Sequence, residues 1–166
     1  MGRGIRVARA VGRAVVLCWL ALPCLATVVD ADRGRDSTLA ALAVPGKWTV
    51  LMFWSVDCTI CEAEMPEYAE LARSDADIAV VGISVDGEAR AEAVRSELER
   101  HGASFPNHLT DPFRLEPEYS ARAGEPFRGT PTFWLLSPEG LLVGMNTGPM
   151  RVSALRAFIA RKTRAR

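Results

Sequence analysis

The chain has 166 residues, 49% of them hydrophobic, and its 20 basic residues balance 20 acidic ones. That length suits one domain with a sizeable core and leaves too little for two. Four arginines crowd the front, and without them the rest carries a net charge of −4, which argues against nucleic acid as a partner.

Arg3, Arg6, Arg9 and Arg13 precede Ala14–Val29, an apolar run of sixteen residues without a charge. A basic stretch followed by a short apolar one is the pattern of a secretory leader. The run is short for a membrane-spanning helix, which needs about 20 residues, and Pro23 interrupts it. Cleavage near Cys24-Leu25-Ala26 would release a soluble domain, and retention would leave a membrane anchor through residues 14–29. Residues 1–26 are therefore expected to be signal peptide or anchor, 27–38 a polar linker and 39–166 the folded domain. Either way, an extracytoplasmic location is expected, in the periplasm or cell envelope. Cys18 and Cys24 lie inside the apolar run and read as small hydrophobic residues.

Trp48–Trp54 is a continuous apolar run rich in aromatic and branched residues, and predicts a strand buried on both faces. From Cys58 the period changes. Cys61, Met65, Tyr68 and Ala72 recur at helical spacing, with Pro66 expected to kink the helix. Ile78–Val85 predicts a second buried strand, and a helix follows with Ala91, Val94 and Leu98 on one face and Gly102 as its stop. Phe105–Pro117 reads as irregular with one short strand. Thr132–Leu136 and Leu141–Met145 predict a hairpin around Ser137-Pro138-Glu139-Gly140. A last helix turns Val152, Leu155 and Ile159 inward, and its basic end complements the helix dipole. Strand–helix alternation requires parallel pairing with right-handed crossovers. An α/β fold results, with a central mixed β-sheet flanked by α-helices on both faces.

The chemistry concentrates where the first buried strand meets its helix. A thiol at Cys58 would face unpaired backbone N–H groups and the positive end of the dipole, both favouring thiolate. Cys61 lies one turn on and can resolve a mixed disulfide. A loop this small adds little stability when closed, so in an oxidising compartment the pair reads as chemical, not structural. No second Cys pair stands near for zinc, and the two histidines are distant in sequence, so no metal site is expected. Glu64, three residues after Cys61, reads equally as a proton relay or as one surface glutamate among several. The base rate for an X–Pro bond predicts trans at Thr130-Pro131. His101 and His108 are assigned no role.

The run Phe53-Trp54-Ser55-Val56-Asp57-Cys58-Thr59-Ile60-Cys61-Glu62-Ala63-Glu64-Met65-Pro66 resembles the active-site signature of the thioredoxin superfamily. It is most similar to the TlpA/ResA-type branch of extracytoplasmic thiol:disulfide oxidoreductases. Val80–Asp86 and Gly129-Thr130-Pro131-Thr132-Phe133 match in the family's order, and the resemblance runs from about Leu39 to Ile159. It implies a thioredoxin-like fold, with Cys58 as nucleophile, Cys61 as resolving cysteine and a redox-active Cys58–Cys61 disulfide. It also implies that Glu64 is the active-site acid, and that Thr130-Pro131 is a cis bond whose backbone meets substrate. Trp54 belongs to the same signature and is expected to modulate the pair. Two positions depart from it: Asp57 stands where tryptophan is usual, and Glu62 where a basic residue is frequent. Both carboxylates would oppose thiolate formation, although Asp57 has the side chain of a helix cap.

The resemblance implies a reductase of cysteine-containing exported proteins, for example in cytochrome c maturation, supplied by an upstream membrane thiol donor and needing no cofactor. Three other readings stay open. Ser55 precedes Cys58 by three residues, as in peroxiredoxin-like peroxidases, and the fold also serves non-catalytic binding modules and copper carriers.

Overall fold

A computed structural model describes residues 26–31 and 34–164. The signal-peptide or anchor assignment, with Cys18 and Cys24, lies outside the described residues. No helix among the described residues is long and apolar enough to cross a membrane.

The sheet is built outward from one strand. Trp48–Trp54, labelled β3, is buried at every position. It pairs in parallel with β4 (Ile78–Ser84) and antiparallel with β6 (Thr132–Leu136). Beyond β6 runs β7 (Leu142–Thr147), and the turn between them closes with Gly140 at φ 80°. On the other side β5 (Asn107–Leu109) lies parallel to β4 and is followed by β1 (Val28–Asp30) and β2 (Asp36–Ser37). The order is β2-β1-β5-β4-β3-β6-β7.

Because side chains alternate along a strand, β3 feeds two cores. Val50, Met52 and Trp54 meet Met65, Tyr68 and Leu71 of α1 (Thr59–Ser74), Val94 of α2 (Ala91–Arg100) and Leu155 of α4 (Val152–Arg164). Leu51 and Phe53 face the other way, onto Leu115 and Tyr119 of α3 (Pro112–Ala123) and onto Leu39 and Leu42 of a short 3-10 turn. Helices therefore cover both faces of a mixed sheet, as a thioredoxin-like fold requires. Pro66 sits inside an α1 that runs unbroken on either side of it.

Two segments differ from the sequence reading. Residues 27–38, expected as a linker, carry β1 and β2 and extend the sheet. The last residues of the apolar run Ala14–Val29 are part of β1: Val28 is fully buried opposite Ser37, and Val29 pairs with Leu109. The end of the supposed anchor segment thus belongs to the domain.

Phe105–Pro117, expected as irregular, contributes the first half of α3, the helix that covers the second face. Asp111 caps it by accepting hydrogen bonds from the N–H groups of Phe113 (2.9 Å) and Arg114 (3.1 Å). Pro112 stands in the first turn, where its missing N–H costs nothing.

Candidate active site

The parallel strands β3 and β4 both point to one end of the sheet, and the loop leaving β3 there places the cysteines. Cys58 takes an extended conformation (φ −101°, ψ 96°) and caps α1. Its backbone N–H bonds Ser55 O at 3.1 Å, and its Sγ accepts from the Cys61 N–H at 3.1 Å. The two sulfurs form a disulfide with Cα atoms 5.2 Å apart. Cys58 is half-buried, whereas Cys61 is fully buried against the α1 core. The sulfur open to a partner is therefore that of Cys58, and it lies against the helix N-terminus.

The loop is held by a residue that the sequence reading passed over. Asp86, just after β4, is 2% exposed and turns its carboxylate toward β3. It accepts from Ser55 Oγ (2.8 Å), Val56 N (3.1 Å) and Ser84 Oγ (2.7 Å). Arg90, in the 3-10 turn Glu88–Arg90, touches its outer oxygen at 3.3 Å. Ser55 Oγ is thus committed to Asp86.

The two carboxylates that depart from the signature are not bare. Asp57 neither caps the helix nor stands alone: its two oxygens accept from both terminal nitrogens of Arg90, at 2.5 and 3.1 Å. That bond to the Arg90 guanidinium holds the Asp57 carboxyl below its ordinary range. Glu62 accepts from Arg100 at 2.9 Å. The same guanidinium pairs with Glu97, and His101 Nε2 lies 3.9 Å from Glu62 and 3.4 Å from Glu97. Glu62, Glu97 and His101 bring potential metal-ligand atoms within 4.8 Å of one another, but Arg100 already supplies the counter-charge there. His101 therefore has surroundings that its place in the sequence did not reveal.

Glu64 is engaged too. One oxygen accepts the Met150 N–H at 2.6 Å, and the other is buried without a hydrogen-bond partner. Burial raises its pKa, the Met150 bond pulls the other way, and nearby Glu67 adds to the rise. One turn further along α1, Tyr68 donates its hydroxyl to Met150 O at 2.8 Å. Both backbone polar groups of Met150 are thereby pinned to α1.

The Thr130-Pro131 bond is cis, as the resemblance implied and the base rate did not. Pro131 precedes β6, whose Thr132 pairs with Phe53, so it sits at the sheet end where β3 gives way to the Cys58 loop. Its carbonyl accepts from Gly148 N at 2.8 Å. Trp54 is a core residue, 2% exposed, donating its indole N–H to Asn107 Oδ1 at 3.2 Å. Gly82 makes room for that bond, because a Cβ there would stand 1.8 Å from the same oxygen. Cys58, Cys61, Glu64 and Pro131 thus share one end of the molecule, while Trp54 lies buried at the end of β3.

A sequence profile described as the AhpC/TSA family matches residues 5–145. The thiol-disulfide oxidoreductase ResA of Halalkalibacterium halodurans is 28% identical over 114 residues, which cover 69% of this chain and 61% of the relative. ResA of Bacillus subtilis is 28% identical over 134 residues, covering 80% of this chain and 69% of the relative. A solved thiol:disulfide interchange protein of the thioredoxin family, from Chlorobium tepidum, superposes with a TM-score of 0.64. It has 20% identity, over 80% of this chain and 89% of that one.

Proposed function

Because the chain belongs to the AhpC/TSA family and carries its cysteines on a thioredoxin-like fold, we propose that it exchanges thiols and disulfides on exported proteins, as a reductase. One observation supports this above the others: a disulfide whose reachable sulfur, that of Cys58, caps a helix and accepts a backbone N–H. In the reduced protein that position stabilises the Cys58 thiolate.

Cys58 attacks one sulfur of a substrate disulfide, forming a mixed disulfide and expelling the other sulfur as thiolate. Cys61 then attacks Cys58 Sγ, which frees the second substrate thiol and regenerates the disulfide found here. Two electrons pass to the substrate, and a thiol donor returns them. Glu64 receives the proton that Cys61 loses, using the carboxylate oxygen not held by Met150. Thr130 and cis Pro131 offer backbone to the incoming chain. Cytochrome c maturation, with its need for reduced cysteine pairs, is a task of this kind, and the Arg-flanked apolar run supports work outside the cytoplasm.

Trapping tests the assignment. Cys61→Ser should accumulate mixed disulfides through Cys58, and Cys58→Ser should accumulate few. Equal trapping by both variants, or peroxide consumption outpacing reduction of protein disulfides, would sink this reading. The redox potential of the pair tests direction, since couples of this fold span about −270 to −120 mV and a reductase belongs at the low end.

A further inference from the structure

Behind the loop that Glu64 and Tyr68 pin, a cavity of about 360 Å³ opens between the outer strand β7 and α4. Phe133, Leu135, Leu155 and Phe158 give it an apolar floor. Its shape depends on Gly144: a Cβ there would stand 3.1 Å from the Phe158 ring. Met145, 41% exposed, stands on β7, whose outer edge has no strand beside it among the described residues.

The charges on this cavity are all of one sign. Arg151 and Arg161 are its charged lining residues, and neither pairs with a carboxylate among the described residues. The other arginines near the redox pair, Arg90 and Arg100, are committed to acids. Arg161 lies over the Phe158 ring at 5.6 Å, which keeps its guanidinium at the rim. The cavity also adjoins the start of α1, the helix that Cys58 caps. Pro149 and Arg151 line it and also a depression whose other wall is Thr59, Ile60, Ala63, Glu64 and Glu67 of α1, so the acids lie on the cysteine side and the two arginines on the cavity side.

We propose that this groove docks the polypeptide partner itself, holding an apolar side chain on its floor and neighbouring carboxylates against Arg151 and Arg161. The partner is thus a cysteine-bearing chain with an acidic–apolar–acidic segment close to its cysteine. This selection rests on the thiol–disulfide reading, because a chain whose cysteine reaches Cys58 continues across Pro149 into the groove. The free edge of β7 supplies backbone donors and acceptors alongside.

Two fluorescent peptides test the proposal. Each bears one cysteine, capped as a disulfide with nitrothiobenzoate, with Asp-Leu-Asp or Lys-Leu-Lys on both sides across a Gly-Ser spacer. The affinity of the oxidised protein for each, with the peptide cysteine alkylated, comes from anisotropy. In the reduced protein the Cys58 thiolate attacks the peptide sulfur and nitrothiobenzoate leaves as its coloured thiolate. Cys61 then closes the protein disulfide and frees the peptide thiol.

Two exposed ion pairs predict about three- to ten-fold preference for the acidic peptide in both measurements. Arg161→Glu should abolish or invert it. Equal affinity for the two peptides, or a preference unchanged in Arg161→Glu, overturns the proposal. Dimerisation that Arg161→Glu abolishes, with no peptide preference, would assign the groove to a second copy and overturn it as well. Ellman's reagent, too small to reach the groove from Cys58, reads the exchange chemistry alone. If it goes uncleaved, the redox reading falls while anisotropy still decides the groove.

Discussion

Replacing Asp86 with alanine should loosen the loop that carries Cys58, and the loss can be worked from its bonds. The carboxylate accepts from two hydroxyls and one backbone N–H at 2.7–3.1 Å, in a site that leaves it 2% exposed. Hydrogen bonds to a charged acceptor contribute about 1.5–3 kcal/mol each, and an abandoned buried donor costs about 1–3 kcal/mol. Ser55 and Ser84 can rotate toward other acceptors, whereas the Val56 N–H is fixed by the backbone. The exposed contact with Arg90 adds nothing to this count. A net loss of about 2–4 kcal/mol follows, with Asp86→Asn, which keeps an acceptor oxygen, near half of it. For a domain of this size that lowers Tm by roughly 4 °C per kcal/mol. Urea titration at constant m measures the loss, and the rate of Cys58 alkylation in the reduced protein reports loosening at the site. If Asp86→Ala unfolds within about 0.5 kcal/mol of wild type, the range of an ordinary surface change, the carboxylate does not hold this loop.

Three further outcomes are expected. Removing Arg90 leaves the Asp57 charge uncompensated beside the sulfur, so Arg90→Ala should move the pH profile of Cys58 alkylation upward, and Asp57→Asn in the same chain should restore it. Glu64 is raised above 4.5 by burial, so the folded state keeps a proton that the unfolded state releases. Wild-type stability should therefore fall relative to Glu64→Gln as pH rises from about 4.5 through the raised value, and run parallel to it below, in urea midpoints taken across pH. Gly82→Ala would drive a methyl onto Asn107 Oδ1, costing about 1–3 kcal/mol and changing Trp54 fluorescence as its indole loses that acceptor.

The redox pair was legible because its environment is local. Seven apolar residues run into Cys58, and helical spacing begins at Cys61, so strand, cap and helix follow from neighbours in sequence. Asp86, Arg90 and Arg100 act at separations of 30 residues or more from the loop and helix they brace. No periodicity marks them, and Asp57 and Glu62 therefore looked like unopposed charges. The α3 helix was hidden for a different reason: Pro112 and Pro117 read as breakers. Its signals were present, with Asp111 at the cap, Leu115 and Tyr119 one turn apart, and Gly124 in the left-handed conformation that ends a helix. Val28 and Val29 were absorbed by the apolar run before them, because hydropathy cannot tell a leader from a short buried strand that follows it directly.

The direction of β1 fixes which end of the sheet the first described residues occupy. β1 runs antiparallel to β5, and Thr27 lies beside Thr110, just past the end at which β5 finishes. The parallel strands β3, β4 and β5 all finish there, and the disulfide tops the same end three strands away, about 14 Å at ordinary strand spacing. Ala26, the first described residue, consequently lies toward the redox end of the sheet and not at the opposite pole.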